Sequence, residues 1–253
     1  MTAVNDILNW FESVAPLDSA MEYDNVGILV GSKTAVVSRV LVTLDITKEV
    51  VLEAQNLGCE LIISHHPVIF NPLKRLDSES VVYLLAQGGI SAVCMHTNLD
   101  LSESFGVNLC LARALKLNSV KKSDKGECLF TGELDTTMNI RDFAKFVKQA
   151  LNCEGVRYTD FLGEIKRVAL CSGAGGSEIF AAAAEGADVL VTGEIKHHEI
   201  NAANELSVAV VDAGHFKTED VVTAELVKVL SEKFPETKFT KSAVYSDKIK
   251  YLQ

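Results

Sequence analysis

The sequence predicts an α/β fold in two similar halves, each with a largely parallel sheet. Three observations predict it. Short apolar runs of strand length alternate along the chain with stretches of helical period. The order of these elements after residue 127 resembles the order before it. And "RVLVTLDITKEVVLEAQNLGCELIIS" (39–64) lies on "RVALCSGAGGSEIFAAAAEGADVLVT" (167–192) at a constant offset, without a gap.

In that overlay Arg39 meets Arg167, Ala54 meets Ala182, Gly58 meets Gly186, Glu60 meets Asp188 and Ser64 meets Thr192. Few positions are identical. An internal duplication explains the match, and so do two βαβ units built under the same rules.

The elements follow in order. Ile7, Leu8, Phe11 and Val14 form one helix face. Strands are expected at 26–30 and 39–44, then a helix carrying Val50, Val51, Ala54 and Leu57 that stops at Gly58. Strand 60–64, helix 79–87 stopped by Gly88, strand 91–95 and helix 105–115 complete the first half. The second half has strand 127–134, helix 139–151, a short strand near 156–159 and strand 167–172. Helix 176–185, strand 188–193, helix 196–206, strand 208–213 and helix 217–233 follow. The polar stretch "KLNSVKKSDKGE" (116–127) is the expected connection, dividing a domain at 1–120 from one at 121–253.

Composition narrows the function. With 48% hydrophobic and 23% charged residues in 253, the chain can bury a substantial core. A formal net charge of −10 speaks against nucleic acid as a partner. No run approaches the roughly 18 apolar residues of a membrane span, and the first residues lack the basic region of a signal peptide. The six cysteines are widely spaced with no C-x-x-C, as expected of small buried hydrophobes in a reducing compartment. The expectation is a cytoplasmic protein with no membrane partner.

The polar residues gather at the carboxyl ends of the expected strands, where open α/β sheets bind ligands. Strand 39–44 ends in Asp45, strand 60–64 in His65-His66-Pro67, and strand 91–95 in "HTNLD" with His96 and Asp100. Strand 188–193 leads through Glu194 to His197 and His198, and strand 208–213 to His215 and Glu219. A polar loop satisfied by its neighbours is the plainer reading of one histidine. For adjacent histidines at a strand end, side chains diverge, so two nearby metals suit them better than one. His215 and Glu219 are spaced i, i+4 and share a helix face. Glu219 as a partner of the helix dipole and Asp100 as a turn residue are the plainer alternatives.

The donors His65, His66, Asp100, His215 and Glu219 suit Zn²⁺, Fe²⁺, Mn²⁺, Co²⁺ or Ni²⁺ better than Mg²⁺ or Ca²⁺, which prefer oxygen shells. Two such ions per subunit would make a hydrolytic centre. The run "CSGAGGSE" (171–178) opens a helix; its amides could receive a phosphate, or its glycines could serve a tight turn.

Taken together, "EYDNVGILVG", "LVTLDIT", "ISHHPVIF", "HTNLD", "SGAGGS", "ADVLVTGE" with "HH", and "DAGHFKTE" resemble the Nif-three-like family, whose members are often called GTP cyclohydrolase 1 type 2 homologs. The motifs run in order over essentially the whole chain, whose length resembles the compact members without an inserted domain. The resemblance implies two intertwined α/β domains of repeated α-β-(β-α)₃ type. It implies a dinuclear site at His65, His66, Asp100, His215 and Glu219, the glutamate bridging, in a toroidal homohexamer. His96 and His197 would then serve as catalytic imidazoles and His198 as a substrate contact.

The expected function is a metal-dependent hydrolase acting on a small molecule such as a nucleotide, like a GTP cyclohydrolase. A metal-loaded ring with a non-enzymatic partner- or nucleic-acid-binding role is one alternative. A phosphatase or phosphodiesterase is another.

Overall fold

The computed structural model describes residues 1–252. They form two compact units: residues 1–105 with 222–246, and residues 106–221 with the stretch from Asp247 onward. The chain thus passes from one unit to the other three times, and the halves are intertwined along the sequence. The expected boundary at residue 120 falls inside a strand of the second unit.

In the first unit, β1 (Thr2–Ala3) leads into α1 (Val4–Val14), which buries Val4, Ile7, Leu8 and Phe11. β2 (Gly27–Val30), β3 (Val36–Val37) and β4 (Arg39–Thr43) follow. Next come α2 (Lys48–Leu57), β5 (Leu61–Ser64), α3 (Val81–Gln87), β6 (Ser91–Cys94) and the single turn α4 (Thr97–Asp100). β4, β5 and β6 are parallel neighbours, and β2 closes one edge antiparallel to β6. All four residues of β5 and all four of β6 are buried, which is why these strands read as continuous apolar runs rather than alternations.

The second unit begins with α5 (Val107–Ala114), β7 (Asn118–Lys122), β8 (Phe130–Asn139) and α6 (Ile140–Ala150). β9 (Arg157–Tyr158), β10 (Glu164–Cys171), a 3-10 turn at Gly176–Glu178 and α7 (Ile179–Ala184) come next. β11 (Val189–Thr192), α8 (His197–Glu205), β12 (Ala209–Asp212) and α9 (His215–Glu219) complete it. β10, β11 and β12 are parallel, with β9 antiparallel on β12 and β8 antiparallel on β10. The chain returns to the first unit with α10 (Val221–Lys233) and β13 (Lys238–Lys241), the latter parallel to β4.

The repeat is visible bond by bond. Glu60 accepts from the amides of Ser38 and Arg39, and Asp188 accepts from the amides of Lys166 and Arg167. Each of these acids also carries its repeat's register: Ser91 N–H donates to Glu60 O, and Ala209 N–H to Asp188 O. α2 and α7 end alike. Gly58 and Gly186 hold left-handed φ of 65° and 70°, and the next amide reaches back to Ala54 O and Ala182 O respectively.

Several expectations needed correction. The stretch 116–127 is not only a connection, because Asn118–Lys122 pairs antiparallel with β8. Its polar, lysine-bearing sequence suits an edge strand, which shows no apolar alternation. The helix expected at 217–233 is two helices, α9 and α10, and the helix expected at 176–185 starts as a 3-10 turn. Gly88 does follow α3, but it is right-handed; the left-handed residue is Gly89 at φ 64°. β13 has only one buried residue, Phe239, and left no strand signal in the sequence.

The matched helix ends give a test. Gly58→Ala and Gly186→Ala each force a Cβ into left-handed backbone, which costs about 1–2 kcal/mol. Gly58→Ala is expected to be the worse, since its Cβ would also stand 3.1 Å from the Arg39 guanidinium, against 3.8 Å from Arg167 at Gly186. Urea denaturation of both variants reads the difference.

Candidate metal centre

In the first unit the sheet register assembles the site. Thr43 pairs with Ser64 and Ser64 with Cys94, so β4, β5 and β6 end level with one another. Asp45, His65-His66 and His96 therefore leave the sheet side by side. The pairing runs on past the strands: His65 N–H donates to Thr43 O, His66 N–H to Leu44 O and Met95 N–H to Ser64 O. α4 then brings Asp100 back, its amide bonded to His96 O.

Each imidazole here is held through Nδ1. His65, with a fully buried side chain, donates Nδ1–H to Met95 O at 2.9 Å. That leaves its lone pair on Nε2, 3.5 Å from Asp100 Oδ1. His66 Nδ1 lies 3.0 Å from Asp45 Oδ1, and Asp45 Oδ2 accepts from the hydroxyl of Tyr245. His96 Nδ1 lies 2.9 Å from Asp24 Oδ1. The ring centroids of His65, His66 and His96 stand 4.9, 5.2 and 5.5 Å apart, and each ring can offer a nitrogen to one ion.

Burial alone would disfavour the charge on Asp24, but its hydrogen bonds from His96 and Thr97 outweigh that and hold its carboxyl well below the usual range. Behind His65, the Cys94 thiol donates to His65 O at 3.0 Å. Burial pushes that thiol well above its ordinary range. All six cysteines are buried and none is in a disulfide, as the sequence suggested.

The second unit supplies a matching pair. Gly214, at φ 85°, turns the chain from β12 into α9. His215 Nε2 then lies 3.0 Å from Glu219 Oε2 on the same helix face, and His215 Nδ1 lies 2.8 Å from Glu194 Oε1. Glu219 is buried. The glycine run makes room for it: Gly173 sits at φ 61°, and a Cβ there would be 2.2 Å from Glu219 Oε1. The amides of Ser172, Gly173 and Gly175 donate to Asn108 Oδ1, Thr218 Oγ1 and Thr192 Oγ1. These glycines serve a tight turn and a close approach, and those three amides are not an anion cradle.

The second histidine doublet is His197-His198. Both are exposed on the first turn of α8, and no metal-type cluster among the described residues includes either. Asp24, Asp45 and Glu194, which anchor imidazoles, and Tyr245, which holds Asp45, have no role assigned from sequence. Asp45 and Glu194 stood out as acids past strand ends. Asp24 is 72 residues from His96, and Tyr245 is 200 from Asp45, so no local spacing links them.

The donor chemistry fits a divalent transition metal. The carboxylates of Asp100 and the buried Glu219 face imidazole Nε2 atoms, and Nδ1 of each ring is tied to an oxygen, as in metal-ligating histidines generally.

Residues 2–250 match the family described as Duf34/NIF3 (NGG1p interacting factor 3). The chain belongs to the Duf34/NIF3 family. A relative from Clostridium perfringens, named GTP cyclohydrolase 1 type 2 homolog, is 32% identical over 244 residues, 92% of this chain and 91% of that one. Among solved structures, a Bacillus cereus protein related to NIF3 matches with a TM-score of 0.91 at 25% identity, covering 100% of this chain and 99% of its own. A hypothetical protein of Staphylococcus aureus matches with a TM-score of 0.90 at 29% identity, covering 99% of each chain. The intertwined, mostly parallel α/β architecture is thus that of NIF3 relatives along the full chain. Among the described residues no helix is long and apolar enough to cross a membrane.

Gly173→Ala tests the seat of Glu219. Left-handed strain and the 2.2 Å contact combine there, so a loss of about 2 kcal/mol or more is expected in chemical denaturation. Zinc affinity by calorimetry should fall at least about 10-fold, whereas Gly186→Ala should leave it unchanged.

Proposed function

We propose that the chain is a metal-dependent hydrolase with a dinuclear metal centre, a nucleotide-class substrate and GTP cyclohydrolase-like chemistry. The observation that carries this reading is the common orientation of the imidazoles. His65, His66 and His215 are each tied at Nδ1 to an oxygen, so each directs Nε2 as a donor. Asp100 and Glu219 lie 3.5 and 3.0 Å from two of those nitrogens. The names of relatives about 30% identical support the same class of activity.

His65, His66, Asp100, His215 and Glu219 would hold two divalent transition ions. Bound there, such ions lower the pKa of water and polarise an electrophilic substrate. The chain's own residues do the rest. His96, edge-on to His65 and His66 and one-fifth exposed, takes and returns a proton. The exposed His197 and His198 offer imidazoles to the substrate, His197 for proton transfer and His198 for binding. The working assembly in this reading is a toroidal homohexamer of the 27.4 kDa chain.

The test is product analysis. Protein loaded with Zn²⁺, Mn²⁺ or Fe²⁺ is incubated with a panel of nucleotides and phosphoesters. Formate released from GTP is the expected result, and Glu219→Gln should abolish it with the fold intact by circular dichroism. Inorganic phosphate as the product would make the protein a phosphatase instead. No turnover of any substrate by fully loaded protein would overturn the hydrolase reading. Light scattering that gives a monomer would remove the hexamer.

A further inference from the structure

The motif "EYDNVG" has no part in the ligand set, yet it reaches into the site from a turn before β2. The Asp24 side chain is fully buried and accepts four hydrogen bonds. Oδ1 takes His96 Nδ1 at 2.9 Å and the amide of Asn25 at 2.8 Å. Oδ2 takes the amide and the hydroxyl of Thr97, at 3.0 and 2.5 Å. The next residue reaches the other histidine loop, with Asn25 Nδ2 donating to Ile69 O at 2.6 Å. The turn is itself pinned, since Met21 N–H donates to Thr97 Oγ1 at 3.0 Å.

We propose that Asp24 is the positioning residue of the site's proton-transfer group: it fixes His96 as the Nδ1–H tautomer, with the Nε2 lone pair as the proton acceptor. This rests on the reading of His96 given above. The carboxylate has no proton of its own to offer, so all four of its contacts must be donors. Imidazole can meet that demand only by placing its hydrogen on Nδ1. The ring is also turned by this bond so that it meets His65 and His66 edge-on, with interplanar angles of 72° and 80°. Asn25 holds the loop after His66 at the same time, so one dipeptide sets the imidazole and the wall facing it.

Asp24→Asn separates this role from packing. The amide keeps the size of the acid. With its oxygen on the two Thr97 donors, its NH₂ faces His96 Nδ1 and the Asn25 amide. His96 is then expected to switch to the Nε2–H tautomer and lose its acceptor.

The experiment is ¹⁵N NMR of the histidine rings at alkaline pH, in metal-free and zinc-loaded protein, together with metal content and turnover. Wild type should show His96 with Nδ1–H, and Asp24→Asn with Nε2–H. Zinc content should be unchanged and turnover reduced by about 10²–10⁴-fold. A proton on Nε2 of His96 in wild type overturns the proposal even if the variant fails to fold. An unchanged tautomer in a folded Asp24→Asn does so too. Zinc loss in step with the tautomer switch would make His96 a ligand and end its role as acceptor. Absent turnover in wild type would sink the hydrolase reading while leaving the tautomer result to stand by itself.

Discussion

An imidazole can bind a metal or accept a proton through one nitrogen only when its other nitrogen is settled. In this chain that condition is met ring by ring. His65 is tied to the Met95 carbonyl, His66 to Asp45, His96 to Asp24 and His215 to Glu194. Four anchors from four different parts of the chain produce the same outcome, a directed Nε2. Each ring is thereby oriented by a partner in the protein itself, which lessens the rotamer freedom to be lost on binding.

The anchors can do this because both parallel sheets deliver their strand ends in register. The two repeats share that scaffold and decorate it differently. Where the first repeat has Asp45, the second has Gly173; where the first has His65-His66, the second has Gly193-Glu194. The glycines are not idle. A Cβ at Gly193 would stand 2.6 Å from His215 Cα, and one at Gly173 would meet Glu219. The second repeat gives up side chains at two strand ends so that α9 can settle against them. In exchange α9 brings His215 and Glu219 on one face.

Much of this was legible in the sequence, for physical reasons. Buried parallel strands such as Leu61–Ser64 and Val189–Thr192 are unbroken apolar runs, and Gly58 and Gly186 mark left-handed helix ends at matching positions. His65, His66 and Asp100 follow strands, so strand ends located them. What was not legible depends on tertiary partners. Asn118–Lys122 is an exposed edge and Lys238–Lys241 buries one side chain, so neither leaves a pattern. The break between α9 and α10 falls within a continuous helical period. The Asp24–His96 and Tyr245–Asp45 bonds close 72 and 200 residues of chain, which no spacing rule reaches. His197-His198 resembles His65-His66 in sequence, but it opens a helix and is exposed.

The central claim is that these anchored donors hold two metal ions. Elemental analysis of the wild-type protein, purified without chelators and again after reconstitution with Zn²⁺, Mn²⁺ or Fe²⁺, tests it most directly. Two equivalents of divalent transition metal per chain are expected. A chain that retains one equivalent or none after reconstitution would contradict the dinuclear centre, and the anchored imidazoles would then require a different explanation.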